Sequence, residues 1–249
     1  SKFGFPLDDE VIFPAIKKAI NSPHVNFLGL HFHVGSQLHT NESHLKALNA
    51  ALKLVKDIRE KFGYVVKEIN IGGGYGIRYT DADDKKPYSY YFDPIMERIE
   101  EFSKKINIPR PEVVVEPGRS IVGEAGITLY TIGTIKDIKG VRKYVSVDGG
   151  MTDNIRPALY QAKYEGLIAN KAAETRRDLV TICGKCCESG DILIKDIYLP
   201  PAQRGDILAV FSTGAYCYAM ASNYNKNPML ATVLVKDGKA EIIVKRQTY

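Results

Sequence analysis

The residues of this chain that could do chemistry gather in short clusters: His31-Phe32-His33-Val34-Gly35-Ser36-Gln37, Gly72-Gly73-Gly74, Glu116-Pro117-Gly118-Arg119, the stretch from Asp148 to Tyr160, the stretch from Cys183 to Asp191, and Gly214-Ala215-Tyr216-Cys217. Successive glycines let backbone N–H groups approach an anion with no Cβ in the way, and a helix N-terminus behind them would add positive potential; a plain tight turn has the same composition. His33 is either a ring-stacking or acid/base residue or a histidine satisfied inside an apolar strand. Glu116 ends the apolar run VVVE, so its carboxylate needs a cation or donor to offset desolvation, and either Arg119 or a cofactor could supply it. Arg156 and Tyr160 stand four residues apart, able to share one carboxylate from a single helical turn or to form ordinary solvated surface.

The segment CGKCCESGD places Cys183, Cys186, Cys187, Glu188 and a serine within nine residues. Zinc would need a second pair or a histidine couple at ligand spacing, and only the distant Cys217 remains, so no metal site is expected. What is left is a single reactive thiol beside Glu188.

The elements that must position these clusters follow an alternating pattern. Residues 8–20 carry acids first and lysines last, the order a helix dipole favours, with Pro14 disturbing the first turns. The run VNFLGLHFHVG reads as a buried strand, and Leu45, Leu48, Leu52, Val55 and Phe62 mark a helix over 42–62 that stops at Gly63. VKEINIGGG, DPIMERIEEFSKKI and EVVVEPGRS continue as strand, helix and strand, so a parallel sheet or barrel is expected. Its strands end in the polar and glycine-rich turns, where α/β folds collect ligands. Beyond about residue 122 the segments ITLYTIGTI, KYVSVDGG, LVTICG, DILAVFSTG and ATVLVKDGKAEIIVKR predict a mainly antiparallel β domain, the last with a turn at Lys236-Asp237-Gly238-Lys239. The expected division is 1–122 and 123–249.

Composition narrows the function classes. The 249 residues carry 34 Lys+Arg against 29 Asp+Glu, spread without a basic block, so nucleic acid is not implied. No segment reaches the roughly 18 apolar residues needed to span a bilayer, and SKFGFPLDDE shows no basic stretch followed by an apolar run, so neither membrane insertion nor secretion is expected. The clustered cysteines do not form the spaced set of a secreted disulfide scaffold, which favours a reducing, cytoplasmic compartment. The opening SKFGFPLDDE enters a helix with no strand before it and reads as the middle of a longer fold.

Taken in order, HFHVGSQ, INIGGGYG, EPGRS, DGGMTDNIRPALY, CCESGD and GAYCYAMASNYN resemble the fold-type III pyridoxal-phosphate-dependent decarboxylases over nearly the whole chain. The resemblance implies the C-terminal part of a (β/α)8 TIM barrel followed by a β domain, in a homodimer with shared active sites. It implies pyridoxal 5'-phosphate as cofactor, with His33 stacking on the ring, Ser36 and Gly72, Gly73 and Gly74 holding the phosphate, and Glu116 facing the pyridine nitrogen. Gly118 and Arg119 would lie beside phosphate and substrate, and Tyr216 would touch the cofactor. Arg119, Arg156, Tyr160 and Glu188 would bind the substrate, with Cys187 and Glu188 reaching the partner's site and Cys187 donating a proton. The implied reaction is decarboxylation of meso-2,6-diaminopimelate to L-lysine and CO2, a step of lysine biosynthesis. A related decarboxylase for another basic amino acid or carboxylated polyamine, and a catalytically dead binding protein, are the alternatives.

Two departures from the family pattern matter. Lys185-Cys186 stands where the family has proline and an apolar residue, which leaves open whether Cys186 or Cys187 is the reactive thiol. The family lysine that holds the cofactor, in a motif resembling Tyr-Ala-x-Lys-Ala-Asn, is absent from these residues and is expected upstream, so the isolated chain is expected to be inactive.

Overall fold

The computed structural model describes residues 2–249. The chain forms two compact units, one comprising the chain up to Ile77 together with Asp84–Gly118, the other Arg78–Asp83 together with Arg119–Tyr249.

In the first unit, helices and short strands alternate: α1 (Asp9–Ile20), β1 (Gly29–His31), α2 (Glu42–Phe62), β2 (Glu68–Asn70), α3 (Tyr88–Ile106) and β3 (Glu112–Val114). Asp8 caps α1 by accepting the Glu10 N–H at 2.9 Å, and Pro14 lies inside the helix. Leu48, Leu52, Val55 and Ile58 line one face of α2, which ends at Gly63 in the left-handed conformation (φ 64°). That face meets Ile95 and Ile99 of α3 and Ile69 of β2 in the apolar core, joined by Phe13 and Ile16 of α1. The strands are parallel in the order β1-β2-β3, and their register sets His31 beside Asn70 and Asn70 beside Val114. The three strands therefore end level, and the polar turns that follow them start from one edge.

Two elements differ from the sequence pattern. The apolar run over 25–35 pairs as β1 only at Gly29–His31, because the residues after it turn into the loop carrying His33 and Ser36. Helix α3 begins at Tyr88, ahead of the DPIMERIEEFSKKI segment, because Tyr91 in its first turns is fully buried against Tyr75, ring centroids 5.2 Å apart.

The second unit follows α4 (Gly118–Val122), which begins at the last residue of the first. Its strands are β4 (Thr128–Ile138), β5 (Arg142–Val147), β6 (Gly166–Ile168), β7 (Asp178–Cys183), β8 (Ile192–Leu199), β9 (Ile207–Val210), β10 (Thr232–Lys236) and β11 (Lys239–Val244), with α5 (Arg156–Tyr160) between β5 and β6. Six strands form one sheet in the order β6-β9-β4-β5-β7-β8, antiparallel except where β5 meets β7. β10 and β11 form a hairpin whose turn residues Asp237 and Gly238 both have positive φ, as a two-residue hairpin turn requires. The fold class is thus α/β: parallel barrel-type βα units followed by a mainly antiparallel β unit. No helix among the described residues is long and apolar enough to cross a membrane.

Candidate active site

At the level strand ends of the first unit, the turn after each strand contributes a polar group. Glu116, just past β3, accepts a hydrogen bond from Asn70 Nδ2 at 2.8 Å on Oε1, and His31 Nε2 lies 3.7 Å from the same oxygen. Both Glu116 and His31 are half exposed, so the carboxylate is braced from the sheet while facing outward. Asn70 does double duty: its side-chain oxygen accepts the Gly72 N–H at 2.9 Å and so starts the glycine turn.

That turn is packed too closely for side chains. A Cβ on Gly73 would collide with the Glu116 carbonyl, and Gly72 (φ 68°) and Gly74 (φ 100°) have conformations that L side chains rarely adopt. The Gly73 N–H donates to His33 Nδ1 at 3.3 Å, which makes that nitrogen an acceptor and orients an exposed imidazole over the turn. From beneath, the buried His44 of α2 meets the Gly73 carbonyl through Nε2 at 2.9 Å while stacking on Tyr75, centroids 5.2 Å apart. Burial lowers the His44 pKa, so the ring is neutral and its Nε2–H is the donor. With two of the three glycine amides engaged internally, the Gly74 N–H is the one left for an outside anion. Ser36 and Gly118 are exposed, and a Cβ on Gly118 would meet nothing.

The second unit gathers its own charges around aromatic rings. Arg156, at the start of α5, is 7% exposed; its guanidinium carbon lies 4.9 Å from the Tyr79 ring centroid and 5.6 Å from that of Tyr164, and Nη1 donates to the Tyr164 hydroxyl. Arg156 forms no ion pair with a carboxylate among the described residues. Arg119 donates to the Tyr79 hydroxyl and sits over the Tyr216 ring at 4.6 Å. Tyr216 itself has φ 65°, an uncommon conformation for a residue with a side chain. Cys217, buried beside the Tyr164 hydroxyl at 3.6 Å, has its thiol pKa pushed up by burial. Tyr160 shares the short helix with Arg156, four residues on, and is 62% exposed.

The thiol loop is built on one buried carboxylate. Asp191 accepts the Met151 N–H at 2.7 Å and the Cys186 N–H at 2.8 Å, and Gly150 and Gly184 leave no space for a Cβ against it. Cys186 is half buried, and burial followed by the Asp191 charge raises its thiol pKa. Cys187 is exposed, its N–H bound to Asn225 Oδ1 at 2.9 Å, and Glu188 beside it is exposed as well. Of these two thiols, Cys187 is the one exposed to solvent.

His44 in the first unit and Tyr79 and Tyr164 in the second lie outside the sequence motifs, whereas His31, Asn70 and Asp191 lie within them with no role of their own assigned there. Asn70 carried a signal, a polar residue at a strand end immediately before the glycines. Tyr79 carried none, because its contact with Arg119 spans 40 residues, and Asp191, though it closes the cysteine segment, carried none that pointed to Met151, 40 residues away. Among the described residues no group of histidine, cysteine and acidic side chains could hold a metal ion.

The donor set of the first unit suits a planar cationic heterocycle bearing an anionic group: an outward carboxylate, an exposed imidazole face and a cramped glycine turn with an available amide. Comparison with known proteins agrees. Residues 1–123 match the pyridoxal-dependent decarboxylase, pyridoxal binding domain. The chain is 49% identical over 249 residues to a diaminopimelate decarboxylase of Bacillus subtilis and 47% identical over 249 residues to one of Staphylococcus aureus, covering 100% of this chain in both cases. It spans 57% and 58% of the lengths of these two relatives. The crystal structure of diaminopimelate decarboxylase from M. jannaschii in complex with L-lysine superposes with a TM-score of 0.93 at 32% identity, covering 100% of this chain and 56% of that one. With motif order, strand-end chemistry and backbone all in agreement, the chain belongs to the fold-type III pyridoxal-phosphate-dependent decarboxylases, within the diaminopimelate decarboxylase group.

Proposed function

We propose that the protein decarboxylates meso-2,6-diaminopimelate to L-lysine and CO2 with pyridoxal 5'-phosphate. The observation that carries this reading is Arg156: a buried guanidinium caged by tyrosines with no carboxylate partner fits a substrate that brings its own distal carboxylate. Substrates lacking that group would leave the guanidinium unpaired, and sites of this kind discriminate by about 10⁴ or more.

When bound, pyridoxal phosphate supplies the electron sink that makes loss of CO2 feasible. Glu116 is assigned to keep the ring nitrogen protonated, with Asn70 holding one carboxylate oxygen. His33 presents its ring face, while Ser36, Gly72 to Gly74, Gly118 and Arg119 hold the phosphate side and Tyr216 completes the cofactor contacts. Arg119, Arg156, Tyr160 and Glu188 orient the substrate. Cys187 delivers a proton to the carbon that has lost CO2, in the site of a partner subunit; the exposure of Cys187 and Glu188 supports a homodimer with shared sites. The four free cysteines support a cytoplasmic setting.

The test is Arg156→Met in the full-length protein. kcat/KM for meso-diaminopimelate should fall by about 10²-fold or more, since a buried charge pair is broken, while turnover of L-lysine, lacking the distal carboxylate, is unchanged or improved. Equal losses for both substrates would refute the reading.

A further inference from the structure

Tyr79 was not among the residues whose type or spacing announced a function, yet Arg119 and Arg156 converge on it. Its hydroxyl accepts from Arg119 Nη1, and the Arg156 guanidinium lies 4.9 Å from its ring centroid. A third aromatic group closes the cluster, because Tyr164 meets the Tyr79 ring edge-on at 5.2 Å and 81° and accepts from Arg156.

The placement of Tyr79 is heavily constrained. The segment Arg78–Asp83 belongs to the second unit although the residues on either side of it belong to the first. Asp83 Oδ2 accepts the N–H groups of Tyr79 at 3.0 Å and Thr80 at 2.8 Å, and the Thr80 hydroxyl at 3.2 Å. Ser212 donates to the Arg78 carbonyl at 2.9 Å, and Glu165 accepts the Asp81 N–H at 2.8 Å. The ring is 7% exposed. A loop held at so many points around one buried tyrosine is built to present that ring.

Two like charges gathered in one cluster repel, and a buried guanidinium without an anion is costly unless something attracts it. The negative face of an aromatic ring provides that attraction, and the ring confines a long, flexible side chain to one orientation. An arginine aimed in advance loses less freedom when a carboxylate arrives.

We propose that Tyr79 is a specificity-determining positioning residue: its ring holds the Arg156 guanidinium in the orientation that selects a distal carboxylate, while its hydroxyl fixes Arg119. This rests on the functional reading above and extends it to a residue that need not touch the substrate.

The experiment uses the full-length holoenzyme and its Tyr79→Phe and Tyr79→Leu variants, with thermal melts to establish folding. Binding is measured by calorimetry with pimelate, a dicarboxylate of the substrate's length, and hexanoate, which lacks the distal carboxylate; KM and kcat are measured with meso-diaminopimelate. Tyr79→Leu should weaken pimelate binding about tenfold, leave hexanoate within about twofold, and raise KM more than it lowers kcat, as expected when a preorganising cation–π contact is removed. Tyr79→Phe keeps the ring and should keep the preference for pimelate. A folded Tyr79→Leu enzyme with the wild-type preference, or a Tyr79→Phe enzyme that loses the preference, would overturn the proposal. If Tyr79→Leu does not fold, Tyr79→Met carries the same expectation. A wild-type enzyme that neither prefers pimelate to hexanoate nor turns over meso-diaminopimelate would instead refute the functional reading, so the two failures are distinguishable.

Discussion

The Asp191 carboxylate accepts the backbone N–H of Met151 at 2.7 Å, and this one bond ties the loop leading to Arg156 to the loop bearing Cys187 and Glu188. The second carboxylate oxygen takes the Cys186 N–H at 2.8 Å, so a single buried side chain sets the start of both segments. Asp191 is 3% exposed, and the two loops are closed around it by glycines that no larger residue could replace without moving the chain.

Asp191→Asn preserves the shape of that side chain but turns one acceptor into a donor facing an N–H. Leaving a buried amide unsatisfied costs about 1–3 kcal/mol, so the urea midpoint should fall with an unchanged slope. Turnover should fall as well, because Cys187 and Glu188 lose their anchor. A variant with the wild-type midpoint would show that the carboxylate bonds contribute nothing to the loop.

Glu116→Gln should lower turnover in the full-length enzyme by about 10²-fold, the scale of removing one preorganised electrostatic contact. Cofactor retention, followed by absorbance after gel filtration, should change far less, since the glycine turn and Ser36 are assigned to the phosphate. Unchanged turnover would reduce Glu116 to a partner of Asn70.

Subunit mixing tests the sharing of sites. A Cys187→Ala subunit combined with one whose cofactor lysine is disabled should regain activity, because one of the two sites in a heterodimer then contains every group. Exchange demonstrated by mass spectrometry without any recovery would place Cys187 in its own subunit's site or outside the chemistry.

Acid stability should depend on Asp206. Burial tends to raise its pKa, but hydrogen bonds from Lys171 Nζ at 2.7 Å, Asn170 Nδ2 at 2.8 Å and the Gln203 N–H at 2.7 Å outweigh it and hold the carboxyl below the usual range. A folded pKa below the unfolded one stabilises the protein fully above the ordinary aspartate value of about 4, and that contribution is lost as the pH falls through the folded value. Melting temperatures recorded from pH 6 down to pH 2 should therefore drop more steeply for the wild type than for Asp206→Asn. Parallel curves would remove Asp206 from the acid transition.

What the sequence announced and what it hid divide along physical lines. Helix α2 was legible from end to end because Leu48, Leu52 and Val55 repeat at helical spacing and Gly63 supplies its stop. The strand lengths were not: the apolar character of residues 25–35 signals burial, and pairing over Gly29–His31 is decided by β2, far along the chain. In the site, Glu116 and the glycines were visible because a carboxylate after VVV and three glycines in a row are unusual in themselves. Tyr79 looks ordinary in sequence and Asp191 is merely the last residue of the cysteine segment; only the folded chain brings them to Arg119 and Met151.

The excursion of Arg78–Asp83 into the second unit bears on how such a protein can be inherited in pieces. A gene segment beginning at Arg119 would encode both sheets of the second unit and both arginines, yet would leave Tyr79 behind. A chimera joined at that point between two relatives would mix one parent's tyrosine loop with the other parent's arginines, and any covariation between them would be broken. Recombination that respects this unit must carry two separated stretches together, so its boundary is a feature of the folded chain that no single cut in the gene can follow.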